Sequence, residues 1–115
     1  MRVCFQLQVR PELMDQYIER HAKVWPEMLQ AINDAGRRNY SLFLRADGLL
    51  IGYYETDDDQ AAQEALDADP RTARWEAEMS AFFLSLDGRA DQQAQRLSEV
   101  FNLEDQLANL PATSN

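Results

Sequence analysis

At 115 residues the chain has the length of one domain, able to bury roughly 65% of the surface its unfolded form exposes, so it needs no disulfide or structural metal to fold. Eleven basic against twenty acidic residues give a net charge of -9, a surface that repels phosphate backbones and anionic lipid and argues against nucleic-acid and membrane partners. The single cysteine, Cys4, and the single histidine, His21, form neither an intrachain disulfide nor a zinc-type cluster, and no metal is expected.

Arg2 to Val9 alternates, with Val3, Phe5, Leu7 and Val9 on one face and Cys4, Gln6 and Gln8 on the other. This pattern predicts a strand with one apolar face. Cys4 in that strand is expected to be a buried, inert thiol. Pro11 suits the first turn of a helix running to about Ala35, with Gly36 at its exit. Met14, Tyr17, Ile18, His21, Val24, Trp25, Met28 and Ile32 recur at steps of three and four and mark its inward face. Pro26 falls inside this helix and predicts a kink near Val24–Trp25.

Asn39 to Leu44 and Leu49 to Glu55 read as two strands joined by the turn Arg45-Ala46-Asp47-Gly48. The acidic run Asp57–Asp59 opens a short helix to about Asp67. Pro70 opens another, carrying Ala73, Trp75, Met79, Phe82 and Phe83, which ends before Asp87-Gly88. After a linker, Leu97 to Phe101 offers a final strand. The tail from Leu103 is expected to fray unless Leu103, Leu107 and Leu110 dock on a partner.

The order strand–helix–strand–strand–helix–strand is the ferredoxin-like βαββαβ plan: an α+β fold whose antiparallel sheet carries its helices on one face. The expected division is one domain over residues 1–103 and a tail over 104–115. The second sheet face, with Cys4, Gln6 and Gln8 beside the hairpin's Phe43, Tyr53 and Tyr54, calls for a cover that a homodimer supplies. No apolar run approaches the ~20 residues of a membrane span. The N-terminus opens directly on the strand pattern, so no signal peptide is expected and a cytoplasmic location is.

Tyr17, His21 and Trp25 come from the first helix, Tyr40 from the second strand and Trp75 from a later helix; packed on the sheet, all five can surround one concavity. Imidazole titrates nearest neutrality and can give or take a proton. Tyr and Trp pair a flat apolar body with a polar tip, which suits the C–H faces and hydroxyls of a sugar. The plainer alternative is a set of core aromatics around a core histidine. No serine or cysteine nucleophile has a visible partner, and no glycine-rich phosphate loop occurs.

Tyr17-x-x-x-His21, Trp25-Pro26-Glu27, Asn39-Tyr40-Ser41, Trp75 with Met79, and Glu99-Val100-Phe101 together resemble the L-rhamnose mutarotase family, over nearly the whole chain. The resemblance implies a dimeric ferredoxin-like α/β barrel without metal or organic cofactor, interconverting the α and β anomers of L-rhamnose. It places the family's proton donor on His21, its sugar-contacting tyrosines on Tyr17 and Tyr40, and its substrate-binding tryptophan pair on Trp75 and Glu76. The second tryptophan is thus a glutamate here, which exchanges a stacking wall for a hydroxyl acceptor and leaves the exact sugar open. Two other readings stand beside this one. Small dimeric α+β barrels also serve as oxygenases or haem-binding enzymes, where a lone histidine ligates iron, and the chain would also suit a non-catalytic sugar-binding module.

Overall fold

The computed structural model describes residues 1–84 and 88–111. Strand β1 (Arg2–Gln8) is followed by helices α1 (Met14–Ala22) and α2 (Pro26–Asp34), then by the hairpin of β2 (Arg37–Leu44) and β3 (Leu49–Thr56). Helices α3 (Asp59–Ala68) and α4 (Pro70–Met79) come next, then the one-turn α5 (Ala90–Gln93), strand β4 (Gln95–Leu97) and helix α6 (Leu103–Ala108). The sheet order is β2-β3-β1-β4 with every pair antiparallel, which is the ferredoxin-like arrangement the sequence predicts. The end of the segment after α4, expected before Asp87-Gly88, and the last residues of the tail lie outside the described residues.

The strands keep their period of two. Val3 and Phe5 on β1 and Leu50 and Tyr54 on β3 turn toward the helices and are buried, so Tyr54, unlike its neighbour Tyr53, belongs to the core and not to the open face. Cys4 pairs with Tyr53 and Gln6 with Ile51 on the opposite face, so Cys4 is half-buried on the open side rather than in the core. At Gly52 the sheet admits no side chain: a Cβ there would stand 2.1 Å from Cζ of Phe5. The main core gathers Val9, Tyr17, Met28, Leu50, Trp75 and Met79 between sheet and helices. Each such side chain contributes about 1.5–3 kcal/mol through burial.

Three expectations need correction. The single kinked helix is two helices, because Pro26 has no N–H to donate and its ring clashes with the carbonyl four residues back. Lys23 and Trp25 are both non-helical, and Trp25 adopts the extended backbone (φ -55, ψ 134) that a residue before proline favours. On α1 itself Ile18 is 55% exposed, so the inward face is narrower than the spacing predicts.

The final strand lies at Gln95–Leu97, not Leu97–Phe101. Its register sets Arg96 opposite Phe5 and faces it toward the helices, while Val100 and Phe101 remain exposed. Arg96 reaches Asp59 and the hydroxyl of Tyr54, polar partners that the apolar segment after Leu97 lacks.

The tail, expected to fray, forms α6. The side chain of Asn102 accepts the N–H of Asp105 at 2.9 Å and so caps it, and Arg2 ties Glu99 and Asp105 to β1. No helix among the described residues is long and apolar enough to cross a membrane.

Candidate active site

A pocket of about 570 Å³, counted to its open mouth, lies between the sheet and the helices. Phe5, Leu42 and Leu50 form its floor on the sheet, and Tyr17 and His21 of α1 and Trp75 and Glu76 of α4 form its walls. Tyr40 enters from β2 because of a bulge. Arg38 opposes Glu55 and Ser41 opposes Tyr53, leaving Asn39 and Tyr40 together against the intervening Tyr54. Asn39 takes the left-handed conformation (φ 51), and the extra residue turns Tyr40 to the same face as Arg37 and Leu42.

His21 is held twice by its own helix. Its Nδ1 lies 2.9 Å from the carbonyl oxygen of Tyr17, and its ring stacks on the Tyr17 ring with centroids 4.0 Å apart. A carbonyl only accepts, so Nδ1 carries the hydrogen and the neutral ring keeps its lone pair on Nε2. The edge of Trp75 meets the imidazole at 5.4 Å, and Trp25 backs Trp75 at 5.1 Å. Burial holds the His21 pKa below its usual value, partly offset by the bond to Tyr17, and the ring is neutral at neutral pH. Burial raises the phenols of Tyr17 and Tyr40 above their ordinary pKa, so both remain protonated there.

The opposite end is polar. Thr72, Trp75, Glu76 and Met79 form the buried stripe of α4, so Glu76 occupies a position where the helical period calls for an apolar residue. Burial first, then the neighbouring Asp91 carboxylate, raises its pKa to about 7, while the backbone N–H of Asp91 donates to it. Asp91 itself accepts from Arg89 at 2.9 and 2.7 Å. The guanidinium of Arg37 lies 4.2 Å over the Tyr54 ring and bonds Gln63 at 2.9 Å. Its Nε is the one buried side-chain polar atom without a hydrogen-bond partner among the described residues. Among those residues no group of three or more His, Cys, Asp or Glu is placed to hold a metal ion.

The sequence model of the L-rhamnose mutarotase family matches residues 2–103. The chain belongs to this family. A curated L-rhamnose mutarotase of Pectobacterium carotovorum is 35% identical over 70% of this chain and 77% of its own length. Another, from Acidiphilium cryptum, is 33% identical over 89% and 97%. The crystal structure of the L-rhamnose mutarotase of Formosa agariphila superposes with a TM-score of 0.72 at 24% identity, covering 90% of this chain and 98% of that one, and so shares its fold.

The residues that the mutarotase resemblance singles out, Tyr17, His21, Tyr40, Trp75 and Glu76, all line the one pocket. Trp25 does not: the break before Pro26 sets it behind Trp75, under the guanidinium of Arg74 at 5.0 Å. Sequence reasoning missed Arg37, Tyr54, Asp91 and Arg96, which also line the pocket. Asp91 and Arg96 fall in what reads as a linker. Arg37 lies two residues before the expected start of its strand, and β2 in fact begins with it.

Proposed function

We infer that this chain is a sugar mutarotase, interconverting the α and β anomers of L-rhamnose or a related deoxyhexose, with His21 as a proton-transfer group. The family match favours this reading over an oxygenase, a haem-binding enzyme or a passive sugar-binding module. The observation that carries the role of His21 is its placement: the chain's only imidazole lines the aromatic pocket, with Nδ1 committed to Tyr17 and Nε2 left for a ligand.

Opening a cyclic hemiacetal removes the proton of the anomeric hydroxyl and delivers one to the ring oxygen as the C1–O5 bond breaks. The aldehyde then turns about C1–C2, and the reverse steps close the ring on its other face. The expected proton-donor role of His21 falls on the closing half of the cycle: its lowered pKa leaves the ring neutral at rest, so it takes the anomeric proton on opening and, as imidazolium, donates it on closing. Such positioned acid–base catalysis contributes roughly 10²–10⁴-fold. Tyr17, Tyr40 and Trp75 present flat faces to the sugar's C–H surfaces, and Glu76 binds a hydroxyl beside them.

The same reading makes the protein a cytoplasmic homodimer. Cys4 is a free thiol, as a reducing compartment requires. Phe43 on the open sheet face is 64% exposed, and Val100, Phe101, Leu103, Leu107 and Leu110 are exposed together, the surface a second copy would cover. A monomer in sedimentation at tens of micromolar, with activity intact, would remove the dimer.

The activity is tested by saturation-transfer NMR of anomeric protons with L-rhamnose, L-fucose and D-glucose in parallel. Faster exchange for L-rhamnose is expected; exchange no faster than buffer for all three would overturn the reading.

A further inference from the structure

We propose that Glu76 is the second proton-transfer residue of the ring opening, acting on the sugar from α4 while His21 acts from α1. The proposal rests on the mutarotase reading and fills the place that reading leaves: two protons move, and one imidazole handles one of them.

The pocket offers few candidates. Tyr17 and Tyr40 are phenols held protonated by burial and cannot act as the base of either step. Asp91 is occupied by Arg89 at 2.9 and 2.7 Å and by Gln63 at 3.1 Å. Glu76 also lines the pocket, yet no ion pair within 4.0 Å involves it among the described residues. It is 7% exposed and sits at a core position of α4, next in sequence to the tryptophan whose ring meets His21 at 5.4 Å. A buried carboxyl without an ion-pair partner is costly to keep, and a proton-transfer task accounts for its presence.

The groups around Glu76 are Asp91 and Arg89 at α5, Arg37 and Tyr40 on β2, and Tyr17 on α1, with His21 lining the same pocket. Burial and Asp91 outweigh Arg89 and Arg37, so the carboxyl keeps its proton up to about pH 7. His21 is displaced in the opposite direction and is neutral at the same pH. Two groups driven apart in this way supply an acid and a base together.

The step balances. Nε2 of His21 takes the O1 proton, the O1–H pair becomes the second bond of C1=O1, and the C1–O5 pair leaves with O5. Glu76 gives its proton to O5. On closing, the Glu76 carboxylate takes the O5 proton back and imidazolium returns its own to O1, leaving both groups as they began.

The experiment follows exchange of L-rhamnose, L-fucose and D-glucose against pH for wild type, Glu76→Gln, Glu76→Asp and His21→Asn. The wild-type turnover is expected to fall above about pH 7, as Glu76 ionises. Glu76→Gln is expected to lower turnover by roughly 10²-fold, leave KM within a few-fold and abolish the alkaline fall. Glu76→Asp, which keeps a carboxyl, should retain that fall with intermediate turnover. Turnover of Glu76→Gln near the wild-type value, or a loss confined to KM, overturns the proposal while leaving the mutarotase reading intact. If Glu76→Gln does not fold, a wild-type profile without the alkaline fall overturns it alone. No exchange by wild type on any of the three sugars overturns the mutarotase reading and this proposal with it.

Discussion

The imidazole of His21 and the ring of Tyr17 lie nearly parallel, 4.0 Å apart and inclined by 26°, one helical turn from each other. The Nδ1 bond returns to the Tyr17 carbonyl, a helical acceptor that belongs to the α1 ladder already. The histidine therefore satisfies no distant buried partner, and its place in the fold does not explain it.

His21→Asn is accordingly expected to cost at most about 1 kcal/mol of stability, the net value of one hydrogen bond, while lowering anomer exchange by roughly 10²-fold or more. Tyr17→Phe keeps the stack and the backbone carbonyl, and should lose less activity. Exchange and thermal unfolding measured on the same samples decide the matter. A folded His21→Asn protein with near-wild-type exchange would remove the catalytic role.

The raised pKa of Glu76 has a consequence for stability. In the unfolded chain the group ionises near 4.5, and in the folded protein near 7. Below the lower value it is protonated in both states and costs nothing. Between the two the folded state binds more protons, so stability falls as pH rises, by about 3 kcal/mol once above the upper value. Glu76→Gln removes this dependence, whereas the opposite dependence from His21 is common to both proteins and cancels. The mutant should unfold at a higher temperature than wild type at pH 8 and show little advantage at pH 4.5, as calorimetry across pH would show. A constant difference across that range would contradict the assignment.

Asn39 makes the bulge that faces Tyr40 into the pocket, and its left-handed backbone penalises a branched side chain. Asn39→Val should cost about 1–2 kcal/mol and raise KM for the sugar as Tyr40 loses its position. Asn39→Gly, which tolerates positive φ, should keep KM near the wild-type value. Denaturant melts and exchange kinetics on the pair separate backbone conformation from the loss of the Asn39 bond to Glu55, which both variants share.

Gly52 lies under the Phe5 ring, which meets Tyr40 edge-on at 6.2 Å. Gly52→Ala forces that ring to move into the pocket floor. A cost of about 1–3 kcal/mol should accompany weaker sugar binding. Phe5→Leu in the same background gives the added methyl room, and recovery of stability in the double mutant would identify the overlap as the cause.

Local periodicity by itself determined the βαββαβ plan, the apolar face of β1, the exit at Gly36 and the pairing of Tyr17 with His21 one turn apart. Those features depend on how a side chain projects from a helix or strand, which the neighbouring residues already fix. The sequence also carried the family pattern that gathers Tyr40, Trp75 and Glu76 with them. Only the tertiary structure decided the rest. Pro26 separated two helices and withdrew Trp25 from the pocket, because the chain after a lost helical bond is positioned by packing. The register of β2 against β3 set Arg37 and Tyr40 on one face, a direction that a strict alternation would not give. Pairing with β1 carried Arg96 inward from a segment with little apolar signal of its own. The proton on Glu76 is the clearest case, since its desolvation and its proximity to Asp91 arise only when α4, α5 and the sheet close around one space.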